Sequence, residues 1–236
     1  MTVEQRDLLC DRVLINIGVE HGFGQRGSPS PENTLFPVQV HGVEVFDATS
    51  RTMRDRPPAD VVISTTPGAS VGIVTADCVP ILVAAEDASA VGAIHAGWRG
   101  LARGVIEAGL RAMMVAAKGA GLVAAVGPAG RGCCYEVDEL VREALLDRYS
   151  QDLEGALVPG RPGHFQLDLA RLATRILAKN GLDRRQIGIQ HRVCTICRPD
   201  RFESYRRDGV QAGRLTHFIT KPDQVSARVD SFPGCP

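Results

Sequence analysis

The 236-residue sequence is short of aromatics, of net charge and of long apolar runs. Phe, Trp and Tyr together make up 5% of it, with a single Trp. Lys plus Arg number 27 and Asp plus Glu number 27, so the formal charge is zero. A neutral chain has no broad basic field, which argues against nucleic-acid binding and against recruitment to anionic membranes. The apolar stretches are broken by Gly, Pro or Asp and fall short of the ~20 residues of a membrane span. The start, MTVEQRDLLCDR, lacks the apolar core of a signal peptide. Histidine is scarce: six residues, without a His-x-His pair, beside seven scattered cysteines. An odd, scattered cysteine set argues against a disulfide framework and for a cytoplasmic protein with reduced thiols.

What is present is ordinary globular material, with 44% hydrophobic and 23% charged residues. Residues 12–19 (RVLINIGV) are rich in β-branched side chains and read as a first strand. Residues 21–37 and 51–58 are rich in turn formers and read as loops. Residues 43–46, 60–64, 70–75, 80–85 and 90–95 read as short strands, the last four as buried ones. The period then changes, and residues 101–118 predict an amphipathic helix. Residues 122–126 read as a strand, 136–149 and 167–179 as helices, and 186–193 and 213–220 as strands. Asn180-Gly181 is a helix stop. A run of strands without intervening helices disfavours a βαβ layout. The expectation is an α+β fold, one domain over residues 1–236 with its core at about 12–220. Gly22-Phe23-Gly24 lacks the rest of a dinucleotide fingerprint.

The chemistry-bearing residues sit at expected strand ends. His41 lies in QVHG, Cys78 in TADCVP between two strands, and His95 in HAGWRG between a strand and a helix. Two imidazoles and one thiolate make a plausible three-ligand zinc set with a fourth position open. The spacings of 37 and 17 residues are no local metal motif. Cys78 reads equally as a packed core thiol, and His41, His95 and Trp98 as structural residues. Cys194-x-x-Cys197 reads as half of a zinc site or a redox pair, with no second CxxC to complete it. Cys133 and Cys134 are neighbours and poorly placed to pair with each other.

Taken together, QVHG (39–42), TADCVPILV (75–83), AIHAGWRG (93–100), GCCYEV (132–137) and SYRRDG (204–209) resemble the YfiH-like family. Its other labels are the polyphenol oxidase (laccase-domain) family and the peptidoglycan editing factor family. The resemblance spans roughly residues 20 to 220. It implies a YfiH-like α+β fold and a zinc-dependent enzyme of purine nucleosides. The activities implied are phosphorolysis of adenosine, inosine, guanosine and methylthioadenosine, and deamination of adenosine. Purine nucleosides and phosphate are then the partners. The implied zinc ligands are His41, Cys78 and His95, with copper as a possible substitute. Arg26, Arg99 and Arg206 are candidates for phosphate or ribose contacts, because a guanidinium grips phosphate oxygens as a fork. Tyr135 is a candidate for lining the site. Asp77 is a candidate proton carrier, although neighbours on a strand point to opposite faces, so it also reads as a supporting residue beside Cys78. Cys194-Thr195 matches a Cys-Thr pair near the family's site, which makes Cys194 a candidate catalytic residue and leaves Cys197 as a packing residue.

The chain departs from the family pattern in several places. The stretch before QVHG is short, Gln25-Arg26 stands where Thr-Arg is usual, and residues 127–132 are irregular. Glu203 replaces a common aromatic. Two further functions stay in view: a cysteine-dependent hydrolase of peptidoglycan-precursor amide bonds using Cys78, and a copper-dependent polyphenol oxidase. Six histidines without a His-x-His pair are too few for the four coppers of a multicopper oxidase.

Overall fold

A computed structural model describes residues 8–49, 51, 52, 54 and 56–223. The central element is a six-stranded mixed sheet in the order β11-β7-β5-β6-β3-β2. Its strands are β2 (Val45–Asp47), β3 (Val61–Ser64), β5 (Val79–Ala85), β6 (Val91–Ala96), β7 (Leu122–Val126) and β11 (Ile187–Gly188). The inner pairs β3–β6, β6–β5 and β5–β7 are antiparallel, and the edge strands β2 and β11 run parallel to their neighbours. A second, antiparallel sheet has the order β1-β12-β4, from Glu20–Phe23, Leu215–Thr220 and Ser70–Thr75. A third, β8-β10-β9, joins Glu136–Asp138, His164–Leu167 and Leu157–Pro159.

Successive side chains along a strand face opposite sides, and here both sides are covered. Ile81, Val83 and Ile94 pack on one face with Leu110 and Met113 of α3 (Val105–Ala116) and Leu172 and Ile176 of α5 (Leu169–Lys179). Leu82, Ala84 and Ala93 pack on the other with Val71 and Ile73 of β4 and Ile219 of β12. Central strands buried on both faces must be apolar throughout. That is why 79–85 and 91–96 read as unbroken apolar runs rather than as alternation.

The differences from sequence expectation have local causes. Residues 12–15 form a helix, α1 (Arg12–Ile15), instead of opening a strand, because the Asp11 side chain caps it by accepting from the Val13 N–H. The loop expected over 21–37 begins with β1. The helix expected over 101–118 is two, α2 (Trp98–Arg103) and α3, broken at Gly104, whose φ of 89° suits only glycine. The helices expected to start at 136 and 167 start later, at α4 (Glu139–Tyr149) and α5. Asp138 and Asp168 cap them, each accepting a backbone N–H, and short strands precede both. Only Ile187–Gly188 of the strand expected over 186–193 forms. A short helix, α6 (Tyr205–Asp208), carries SYRRDG. Among the described residues no helix is long and apolar enough to cross a membrane. Cys10 is disulfide-bonded, so the expectation that every thiol is reduced does not hold; Cys78, Cys133, Cys134, Cys194 and Cys197 are free.

Candidate functional site

The antiparallel register of the central sheet builds the site. Val79 pairs with Ala96, and Pro80 with His95, so the start of β5 meets the end of β6. Cys78, one residue before β5, therefore lies beside His95 and Gly97. Val61 pairs with Ile94, which brings Asp60 level with His95, and the His95 N–H donates to the Asp60 carbonyl. His41 comes from the loop before β2. The donor atoms of His41, Cys78 and His95 all lie within 4.8 Å of one another. The two imidazole rings meet edge to face at 4.8 Å.

Asp60 holds this arrangement. Its side chain is fully buried and sits 2.7 Å from His95 Nδ1. It also accepts the backbone N–H groups of Val40, His41 and Gly42 at 3.2, 2.9 and 2.7 Å. Three successive N–H groups around one carboxylate fix the loop, including His41 in the left-handed region at φ 59°. Burial pushes the Asp60 carboxyl up, but the bonds from His95, Gly42 and Val40 outweigh it and hold it below its usual range. With Nδ1 engaged, His95 turns Nε2 towards the Cys78 sulfur, the second-partner arrangement that orients metal-binding histidines. In the sequence Asp60 stands only as the start of a strand.

Burial also pushes the Cys78 thiol up, yet His95 and His41 bring it down to about 6. Burial lowers His95, but Cys78 and Asp60 raise it to about 9. Both shifts describe a place where positive charge beside a thiolate is strongly favoured, which a divalent cation satisfies. Gly97 leaves the room: a Cβ there would come within 2.9 Å of the Cys78 sulfur and 3.1 Å of His41 Cδ2. The residues present therefore fit a metal with two nitrogen ligands and one sulfur ligand.

The triad lies in the wall of a cavity of about 810 Å³. Arg99 and Arg206 reach it, and so do Arg56 and Arg214, which sequence reading did not single out. Tyr135 also lines it, with the Arg206 guanidinium 4.6 Å from its ring centre. Arg99 lies 4.5 Å over Trp98. Asp77 borders the cavity, but its carboxylate is engaged elsewhere. Thr195 donates to it at 2.6 Å, Ser204 at 2.9 Å and the Arg206 N–H at 2.7 Å. Asp77 thus ties the 194–206 segment to the turn that carries Cys78, and its φ of 89° is the strain of that turn.

Two sequence candidates lie elsewhere. Arg26 is not among the cavity-lining residues; it pairs with Glu203 at 3.0 Å and Asp208 at 3.6 Å. Glu203 gives Arg26 this alternative partner. Cys194 is buried and joins Cys133, Cys134 and Cys197 in a second cluster, so Cys197 is not an isolated packing residue.

The family model described as multi-copper polyphenol oxidoreductase laccase matches residues 23–221. A Xylella fastidiosa protein named purine nucleoside phosphorylase is 40% identical over 186 residues, covering 77% of this chain and 69% of the relative. An Aquifex aeolicus protein of the same name is 34% identical over 190 residues, covering 80% and 83%. The crystal structure of YlmD from Geobacillus stearothermophilus superposes with a TM-score of 0.71 at 30% identity, covering 81% of this chain and 74% of that one. This chain, with its His-Cys-His site on an α+β scaffold, belongs to the laccase-like family whose YfiH and YlmD members are named purine nucleoside phosphorylases.

Proposed function

We propose that this protein is a cytoplasmic, zinc-dependent purine nucleoside phosphorylase. It takes adenosine, inosine, guanosine and methylthioadenosine with phosphate, and it also deaminates adenosine. The observation that carries this reading is the pairing of an open His41–Cys78–His95 set with four arginines around one cavity. Two nitrogens and one thiolate favour zinc, and copper is the nearest substitute. A zinc ion there would supply Lewis acidity and make water a nucleophile near neutral pH.

The protein's own residues do the rest. Arg56, Arg99, Arg206 and Arg214 offer guanidinium forks to phosphate oxygens. Tyr135 and Trp98 offer flat faces for the purine. Phosphorolysis joins a phosphate oxygen to C1′ of the ribose while the C1′–N9 bond breaks; the electron pair leaves with the purine, which takes up a proton. A cluster of fixed positive charge on the attacking phosphate positions it for that displacement. Asp77 acts by holding Arg206 and the Thr195 turn in place, since three donors already engage its oxygens.

The test is incubation of the zinc-loaded protein with inosine and with adenosine, with and without phosphate. The expected products are free base with ribose 1-phosphate, formed only with phosphate, and ammonia from adenosine. Absence of both base release and ammonia overturns the reading. The lowered Cys78 thiol favours one competing function, a thiol hydrolase of peptidoglycan-precursor amides with Cys78 as nucleophile. A covalent adduct of iodoacetamide on Cys78 in metal-saturated protein would support that alternative, because a zinc-bound sulfur resists alkylation.

A further inference from the structure

We propose that Cys133, Cys134, Cys194 and Cys197 form a second metal site, a closed zinc tetrathiolate. It is distinct from the His41–Cys78–His95 site and does not depend on the activity proposed above. The four sulfurs lie within 4.8 Å of one another, with Cys134 to Cys197 at 3.0 Å and Cys133 to Cys197 at 3.3 Å. Zinc–sulfur bonds of about 2.3 Å in a tetrahedron put sulfurs roughly 3.8 Å apart. The cluster already spans that spacing, so closing on a metal needs small side-chain rotations only.

Convergence of all four sulfurs is what separates a metal site from a disulfide. A single disulfide needs two sulfurs in contact and leaves the other two without a role. Four thiols on one point form a complete ligand set for zinc, and the softness of thiolate selects it over magnesium or calcium. Binding releases four protons, one per thiol, and leaves a complex of net charge −2. Arg131, Arg192 and Arg198 flank the cysteines in sequence, with Arg131 paired to Asp168 and Arg198 to Asp200.

The consequence is mechanical. The Cys133–Cys134 turn is followed by Tyr135, and Cys194 by Thr195, which donates to Asp77. The two segments already touch through a bridge between Ala129 and Cys194. A metal joining them clamps the cavity wall that carries Tyr135 and Arg206. The site is closed, with four protein ligands and no position for substrate.

The experiment counts zinc per chain by elemental analysis after growth with zinc and removal of loosely held metal. Full-length protein is expected to hold two, Cys78→Ser one, and the double variant Cys194→Ser/Cys197→Ser one. A double variant that keeps the wild-type zinc count overturns the proposal. Should the double variant fail to fold, alkylation of the wild-type protein decides. Cys133 and Cys197 are exposed, so zinc-loaded protein is expected to shield them from iodoacetamide and chelator-treated protein to lose that shield. Equal labelling in both, or a disulfide within the cluster found by mass spectrometry, overturns it.

Discussion

The His41–Cys78–His95 site and the four-cysteine cluster share one wall of the protein but are built on different principles. The first stands on strand ends of the central sheet, and the buried Asp60 fixes His41 and His95. It offers three donors and opens into the cavity. The second stands on turns outside the sheet, offers four donors and does not line that cavity. Metal chemistry needs a vacant position, and metal bracing needs none. Rigid strands with a shared carboxylate suit the first task, because a ligand misplaced by an ångström costs rate. Turns suit the second, because a metal can impose its own geometry on them.

The comparison breaks most sharply at Cys78. Cys78→Ser is expected to lower kcat/KM for inosine phosphorolysis by on the order of 10³ or more, about 4 kcal/mol of transition-state stabilisation. Cys197→Ser is expected to leave most of the activity at saturating substrate. Steady-state kinetics on the two variants in parallel provide the check. An equal loss from both would mean that the sites are not divided into chemistry and bracing.

Asp60 tests the rigidity of the first site. Asp60→Asn keeps the shape but loses the charge that orders His95 and three loop N–H groups. Zinc affinity is expected to fall ~10–100-fold, the usual cost of losing such a partner. Competition with a chromogenic chelator measures it. Zinc content at the cysteine cluster is expected to be unchanged.

Asp77 tests the shared wall. Asp77→Asn keeps one acceptor oxygen and removes the charge facing Thr195, Ser204 and the Arg206 N–H. KM for phosphate is expected to rise roughly tenfold, about 1.4 kcal/mol, with zinc content unchanged. A fall in kcat for deamination alone, at normal zinc, would instead identify Asp77 as a proton carrier.

The two regions also differ in how they can be read from sequence. His41, Cys78 and His95 stand next to strands whose apolar runs are visible, and glycines mark the turns at Gly42 and Gly97. Asp60 is hidden because its partners lie in the loop at 40–42 and on the neighbouring strand at His95, and no local period reports bonds so far apart in sequence. The cysteine cluster was hidden for the same reason. The CxxC at 194–197 was visible, but its complement at 133–134 is about 60 residues away and is brought to it by the bridge at Ala129. Arg26 shows the reverse case: its motif position was legible, but the Glu203 that draws it away acts through space. Strands are legible where burial on both faces makes composition decisive. Composition misleads at 12–19, where the Asp11 cap outweighs β-branched propensity.

The last effect concerns stability with pH and lies in the β1-β12-β4 sheet. His217 is fully buried on β12, where its Nε2 lies 2.8 Å from the Thr75 hydroxyl. Burial, with the nearby His95 charge adding to it, drives its pKa down to about 3. His21, buried on β1, is brought down by burial to about 4. In the unfolded chain both return to about 6.5. Between these values the unfolded state binds protons that the folded state refuses, so stability falls as pH is lowered from 6.5 towards 4. Each such histidine contributes a slope of about 1.4 kcal/mol per pH unit in that window. Replacing His217→Gln retains a hydrogen-bonding partner for Thr75 and removes the titration. Urea melts at pH 5 and pH 6 are expected to show a dependence shallower by close to one proton, at some cost in stability at pH 7. An unchanged slope would mean that water or local opening reaches β12. The small sheet behind the His41–Cys78–His95 site would then be softer than its burial implies.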